Sequence, residues 1–360
     1  MAQAREDAGV PQGRLAELIG IDRTALSRAE KGERKLAVTE MVAIAEALGR
    51  PLAFFVNDPL PAVISRRSDP QLPHDTTRAL DDEIDMFAND AKTLLDMGLL
   101  HVVKRERDDH TPRTPQDAEL LARTVREDLI IGDEPLLNLS HVCEQLGLYT
   151  YAAPLGMNGP DGGCVEIAEG NEGIAVAVVN GHAPAGRRRM TLAHELGHWL
   201  YGDAYDHATG DGGEKMINSF AIHFLAPRGG VTRIWTAHRK WSTRDRALAV
   251  GSAFRLSWTA TIGQLKSLEL ISNDEFEKLR ESEPRHGDYV RLELPWDDAP
   301  RTPFLSPAFA AACVRGYTSG QLTAARTIEL LRSTMARDEL PEREPEPIED
   351  IRKLFVLTSD

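Results

Sequence analysis

Met190–Tyr201 reads MTLAHELGHWLY. Leu192, Ala193, Leu196, Trp199 and Leu200 recur at helical spacing and predict a largely buried helix over Arg187–Tyr201. Inside it stands His194-Glu195-Leu196-Gly197-His198. Side chains four apart on a helix are separated by about 40° of azimuth and one turn, so both imidazoles reach toward one ion. Glu195 is turned about 100° from His194, where a carboxylate meets a water on that ion without ligating it. Two histidines with such a carboxylate suit a zinc hydrolase, whose metal lowers the pKa of its water to about 7.

Zinc needs a third protein ligand. Asp211–Pro227, DGGEKMINSFAIHFLAP, opens with a capping Asp and stops at Pro, which predicts a helix over Glu214–Leu225. Glu214 and Asn218 share one face of it, whereas Met216, Ile217, Phe220 and Phe224 point into a core. Glu214, 16 residues after His198, completes a His2Glu set; His207 and Asp203 are nearer in sequence and are its rivals. His223 lies about 180° round the helix from Glu214 and reads as a packing or surface histidine. The metzincin spacing fails, because Tyr201 and Ala204 stand where it needs Gly and His.

Upstream of the motif, Gly147–Ala153, Gly163–Ala168 and Gly173–Asn180 are alternating or β-branched runs set off by Gly, Pro and Asn, which predicts one small sheet. A helix over Glu119–Asp128 precedes them. Before that, Leu80, Ile84, Phe87, Ala91, Leu94 and Leu95 make the apolar stripe of a packing helix. Arg244–Ser272 reads as helix, Ser257 turn, helix, a second helix-turn-helix-like shape that need only pack; Phe309–Arg337 reads as a helical hairpin. Helix dominates around one sheet, so the fold class is α+β, mainly α.

Residues 10–56 carry another pattern. A helix over Gln12–Ile19 ends at Gly20, Asp22 caps a second over Arg23–Lys31, and Gly32 stops it. Leu15, Ala16, Ile19, Ile21 and Leu26 form the seam of a helix-turn-helix, with Arg23, Thr24, Ser27 and Arg28 on the open side where bases and phosphates are reached. Only nine residues precede Val10, which leaves little room for a helix ahead of it.

Composition sets bounds on function. The chain has 360 residues and a net charge of −14, which excludes coating nucleic acid by bulk field. Residues 1–56 hold eight basic and eight acidic side chains, so any DNA contact is local to that segment. The longest uncharged run, Gln145–Pro160, has 16 residues and is broken by Gly and Pro, too short to span a bilayer. Three scattered cysteines make no disulfide framework, and MAQAREDAGVPQG has no apolar signal core, so a cytoplasmic protein is expected. Proline-rich joints at Asn57–Pro61, Ser68–Pro73 and His110–Pro115, with seven acids in Asp338–Asp350, give expected modules of 1–56, 57–113 (linker and packing helix), 114–228 (core), 229–337 (C-terminal helical) and 338–360 (acidic tail).

Two resemblances follow from these residues. Pro11, Gln12, Leu15, Ala16, Gly20, Ile21, Asp22, Leu26, Ser27, Glu30 and Gly32 resemble the Xre/Cro-type repressor helix-turn-helix. It implies duplex DNA as partner, met through Gln12, Arg23, Thr24, Ser27 and Arg28 by a homodimer on a two-half-site operator. Arg187, Thr191 to His198, Glu214, Asn218, Phe220, Ala221, Leu225 and Pro227 resemble the ImmA/IrrE family of zinc metallopeptidases, over about Thr114–Pro227. That resemblance implies Zn2+ held by His194, His198 and Glu214, with Glu195 as general base. Asn218 is expected just behind the ligands or at the cleft wall. Met190, Tyr201 and Ile217 depart from the family pattern but remove no ligand.

The expected function is a cytoplasmic zinc endopeptidase fused to a DNA-binding domain, with no membrane partner. The resemblance implies a repressor- or antitoxin-like protein substrate, in stress response or mobile-element control; an extended substrate is expected to add as a strand to the sheet's edge. Tyr201, Tyr205 and His207 are candidates to stabilise the oxyanion. One alternative is a transcriptional regulator whose zinc is sensory or structural. Another is an antitoxin-like interaction module.

Overall fold

A computed structural model describes residues 1–49, 52, 55, 65–67, 74–104, 112–169, 172–201, 210–295 and 302–343. The chain divides into two compact units, Met1–Ala62 and Val63–Asp360.

The first unit holds α1 (Ala2–Asp7), α2 (Gln12–Ile19), α3 (Arg23–Glu30) and α4 (Val38–Leu48). Gly20 ends α2 with φ 71°, a left-handed cap that costs glycine no Cβ strain, and the Asp22 carboxylate accepts from the Thr24 amide at 2.7 Å to start α3. Leu15, Ala16 and Leu26 are buried, with Ile19 and Ile21 packed against them. A helix does fit ahead of Val10, against expectation. The short α1 is held by a buried Ala4 and by Arg5, whose Nε donates to Glu30 Oε1 at 2.6 Å, a partner 25 residues away that local pattern does not reveal.

The second unit is built on a sheet between helical layers. It begins with β1 (Ser65–Arg67), α5 (His74–Asp96), β2 (Val103–Lys104), α6 (Pro115–Asp128) and α7 (Leu139–Gln145). Then come β3 (Leu148–Ala153), β4 (Gly162–Glu169), β5 (Glu172–Asn180), α8 (Ala185–Tyr201) and α9 (Gly210–Leu225). Helices α10 (Arg228–Ala237), α11 (Thr243–Phe254), α12 (Trp258–Ser267), α13 (Asn273–Arg280) and α14 (His286–Arg291) follow. Strand β6 (Phe304–Leu305), α15 (Pro307–Thr318) and α16 (Ala324–Leu330) complete the order. The strand order is β1-β4-β5-β3-β6, with β2 paired to the start of β5. Strands β3 and β5 run parallel, Leu148 opposite Ala175, and β4 is antiparallel to β5.

Alternation assigns the two faces. Leu148, Ala152, Ala175, Ala177 and Val179 pack with Leu192, Ala193, Leu196 and Trp199 of α8. On the other face Tyr151 and Tyr149 meet Phe87 of α5 (ring centroids 5.9 Å) and Phe309 of α15 (6.3 Å). Leu80, Ile84, Phe87, Ala91 and Leu94 are all buried, so α5 is the packing helix that its stripe predicts. Thr114 caps α6 by accepting from the Asp117 amide at 3.2 Å, and Ser257 caps α12 by accepting from Ala260, also at 3.2 Å. The side chain of Arg126 on α6, 1% exposed, donates to the carbonyls of Gly132 and Phe224 at 2.6 Å and of Glu134, fixing the end of α9. One core runs from Ala118 to Leu279, continuous across residue 228. The joint at Asn57–Pro61, the joint at Ser68–Pro73 and residues 344–360 of the acidic tail lie outside the described residues.

Candidate metal centre

Helix α8 presents His194 and His198 one turn apart, 1% and 6% exposed, with their Nε2 atoms 3.0 Å from each other. Helix α9 crosses it and brings Glu214, whose Oε2 lies 3.3 Å from His194 Nε2 and Oε1 3.5 Å from His198 Nε2. The three side chains form a group that could hold a metal ion. Ligands about 2.05 Å from a tetrahedral zinc lie about 3.3 Å from one another, so the donor separations suit that ion without rearrangement. The imidazoles hydrogen-bond the Glu214 carboxylate and hold it well below the usual carboxylate range, although the side chain is half exposed.

Asn218, one turn after Glu214, places Oδ1 3.1 Å from His194 Nδ1. An amide oxygen can only accept, so the Nδ1–H donates, and once Nε2 gives up the proton it shares with Glu214 its lone pair is free for an ion. The approach of the two helices depends on Gly197: a Cβ there would stand 3.0 Å from Phe220 Cδ1 and 3.1 Å from Ile217 Cγ2. Gly162 does the same for helix on sheet, since a Cβ would meet Val178 O at 2.6 Å and Thr191 Cγ2 at 2.8 Å. Sequence reasoning named Gly197 only as part of the motif; its closeness to α9 is a contact between helices that the helical period cannot supply.

Glu195 is fully buried, and among the described residues neither carboxylate oxygen has a hydrogen-bond partner. The Cys164 thiol, pushed up by burial and by the neighbouring Glu195 carboxylate, donates to the Glu195 backbone carbonyl at 3.8 Å. An ionisable side chain enclosed and unsatisfied in this way is costly, and this one follows His194 directly in the chain. The residues therefore fit a zinc ion.

The remaining candidates separate. His223 is buried on α9, its Nδ1 3.2 Å from Gln264 Nε2 and its Nε2 3.9 Å from Glu119, away from the donors, as a packing residue. Tyr201 ends α8 with its ring edge-on to Phe220 at 5.5 Å. Asp203, Tyr205 and His207 lie outside the described residues. In the first unit Arg23, Thr24 and Arg28 are exposed on α3 and Ser27 is half-buried. Gln12 is engaged within the unit, donating to Glu30 Oε2 at 2.8 Å and accepting from Arg23 Nε at 3.4 Å.

Among the described residues no helix is long and apolar enough to cross a membrane. Comparison with known proteins places a helix-turn-helix family at residues 1–55 and the IrrE N-terminal-like domain at residues 143–262. The second match encloses all three donors and continues past Pro227 into α12. No curated protein and no solved structure matches the chain. Residues 1–55 are thus similar to a helix-turn-helix family, and residues 143–262, around the metal donors, to the IrrE N-terminal-like domain.

Proposed function

We propose that the second unit is a cytoplasmic zinc-dependent endopeptidase that cleaves a repressor- or antitoxin-like protein, and that the first unit brings it to duplex DNA. The observation that carries this reading is the buried, unpartnered Glu195 carboxylate beside His194, His198 and Glu214. A metal that only stabilised the fold would need no such carboxylate. A zinc ion held by these three residues supplies a Lewis acid that acidifies a water and polarises a carbonyl. Glu195 is then the general base, taking the proton of the attacking water and passing it to the leaving amine. Asn218 fixes the His194 tautomer through Nδ1. An extended substrate pairs along the outer edge of β4, where β1 covers only Gly162–Cys164 and Val165–Glu169 has no strand on the side away from β5 among the described residues. The modules 57–113, 114–228, 229–337 and 338–360 remain part of the same reading.

Glu195→Gln tests the chemistry. The amide keeps the size but accepts no proton, so zinc content and folding are retained while cleavage falls by orders of magnitude. The variant also captures its target from cells for identification by mass spectrometry, and the wild-type protein must then cut that target. Turnover persisting in Glu195→Gln moves the chemistry elsewhere. No cleavage by the wild-type protein favours a regulator with a sensory metal.

For the first unit, we assign DNA contact to Arg23, Thr24, Ser27 and Arg28 at the start of α3, with Gln12 beside them, in a homodimer. Replacing Arg23 and Arg28 together by Ala weakens duplex binding by about 2–4 kcal/mol at fixed salt, read by fluorescence anisotropy. An unchanged affinity rejects the assignment.

A further inference from the structure

A cavity of about 170 Å³ lies against α8 on the side away from the metal donors. Arg188, Arg189 and Leu192 line it, within about 100° of one another around the helix, whereas His194 and His198 are about 200–240° round from Leu192. The cavity is therefore not the cleft in which the donors converge. Val179 of β5 and Phe304 of β6 continue its apolar wall, and Ser140 of α7 and Thr150 of β3 also line it.

The charge around this space is already engaged. Arg188 Nη1 donates to Gly181 O at 3.2 Å and to Thr302 Oγ1 at 3.4 Å, Arg189 Nη2 donates to Leu136 O at 2.6 Å, and each makes a further interaction. Arg255, from the turn between α11 and α12, donates to Leu137 O at 3.3 Å and is partly exposed to water. The two hydroxyls are not engaged. Thr150 is 1% exposed and Ser140 7%, and among the described residues neither hydroxyl has a hydrogen-bond partner. The backbone fixes where each stands. The Thr150 amide donates to Ser306 Oγ at 2.6 Å and its carbonyl accepts from the Ser306 amide at 2.8 Å. Asn138 Oδ1 caps α7 just before Ser140 by accepting from the His141 amide at 3.2 Å. The carbonyl four residues before Ser140, a common acceptor for a serine hydroxyl in a helix, is Leu136 O, which already takes Arg189.

We propose that this cavity binds a small uncharged molecule with a hydroxyl on an apolar body, the hydroxyl hydrogen-bonded by Ser140 and Thr150 and the body resting on Leu192, Val179 and Phe304. A buried hydroxyl without a partner is costly, and two of them lining one space mark where a ligand's polar group is met. Apolar cavities of about 150 Å³ admit one aromatic ring, so a volume of about 170 Å³ takes a phenol or a short alcohol. Water alone satisfies the hydroxyls but leaves the apolar wall wet. A hydrocarbon covers the wall but leaves both hydroxyls bare. A carboxylate gives up its own water for arginines that already have partners. The occupant rests on the helix that carries both imidazoles, on its opposite side, so it is not held toward the metal donors. The inference does not depend on the chemistry at Glu195.

Isothermal titration of the full-length protein with phenol, toluene and benzoate tests it. Phenol binds saturably at one site, and toluene and benzoate bind at least about tenfold more weakly. Thr150→Val keeps the shape and removes the hydroxyl, so phenol affinity falls about fivefold or more while toluene affinity does not fall, with melting temperature checked by calorimetry. Ser140→Ala changes the ratio in the same direction and decides the matter if Thr150→Val does not fold. Ala185→Leu fills the cavity from one side, touches neither hydroxyl and weakens phenol about tenfold or more. Absence of saturable phenol binding, toluene or benzoate bound as tightly as phenol, an unchanged phenol-to-toluene ratio in the folded hydroxyl variants, or undiminished phenol binding in folded Ala185→Leu overturns the proposal.

Discussion

Glu30 in the helix-turn-helix unit and Glu195 in the peptidase-like unit are both turned inward, and the chain treats them in opposite ways. Glu30, with 7% of its side chain exposed, accepts from Arg5 Nε at 2.6 Å, Arg5 Nη2 at 3.3 Å and Gln12 Nε2 at 2.8 Å. Glu195, fully buried, accepts no hydrogen bond among the described residues. A satisfied carboxylate of the first kind joins α1, α2 and α3 into one small bundle. One of the second kind weakens the fold that contains it, and such local conflict collects at functional sites. Sequence alone gives both the same letter in a recognisable motif; only their partners tell a structural glutamate from a poised one.

The largest expected effect removes the reason for Glu195 to be isolated. Glu214→Ala deletes one of three converging donors, so zinc affinity falls by more than about 100-fold, since even groups that merely orient ligands are worth about 10–100-fold. Competition with a chromophoric chelator measures this, while hydrogen exchange of α2 and α3 in the same variant stays unchanged. Stoichiometric zinc surviving dialysis in Glu214→Ala, and lost instead in His207→Ala, would sink the ligand assignment and with it the contrast.

A smaller effect separates the two glutamates directly. Glu30→Ala leaves the Arg5 guanidinium and the Gln12 amide without their acceptor, a loss of about 1–3 kcal/mol in the protection of α2 and α3 amides. Glu195→Gln removes no hydrogen bond within the protein and costs less than about 1 kcal/mol in its own unit, because a neutral amide is easier to bury than a carboxylate. If Glu195→Gln destabilises its unit as much as Glu30→Ala does the first, the contrast is gone.

What the sequence made legible follows a physical rule. Helical period alone puts His194 and His198 on one face, Glu214 over Asn218, and the apolar stripe of α5 inward, and these positions are where the structure has them. Strands β3, β4 and β5 were legible from alternation and from their Gly and Asn borders, whereas β1, β2 and β6, two or three residues each, are too short to show a period. Contacts between distant segments were not. Arg5 on Glu30 spans 25 residues, and Arg332 donating to Glu83 and Asp90 spans more than 240. The Arg188, Arg189 and Arg255 cavity likewise joins α8 to a turn that no local pattern ties to it.

The smallest expected effect is a pH dependence confined to the first unit. Burial disfavours the charged form of Glu30, but hydrogen bonds from Arg5 and Gln12 outweigh it and hold the carboxyl below its ordinary 4.5. A carboxyl lowered on folding stabilises the folded state above its unfolded pKa, and that contribution is lost as pH falls through the folded value. Protection of the α3 amides in wild-type protein therefore declines as pH drops below about 4.5, by no more than Glu30→Ala removes at neutral pH. In Glu30→Ala that part of the decline is absent, because no proton is left to bind there. Parallel pH profiles for the two proteins would mean that Arg5 and Gln12 hold Glu30 no better than water does, and Glu30 could then no longer stand as the satisfied partner in the comparison with Glu195.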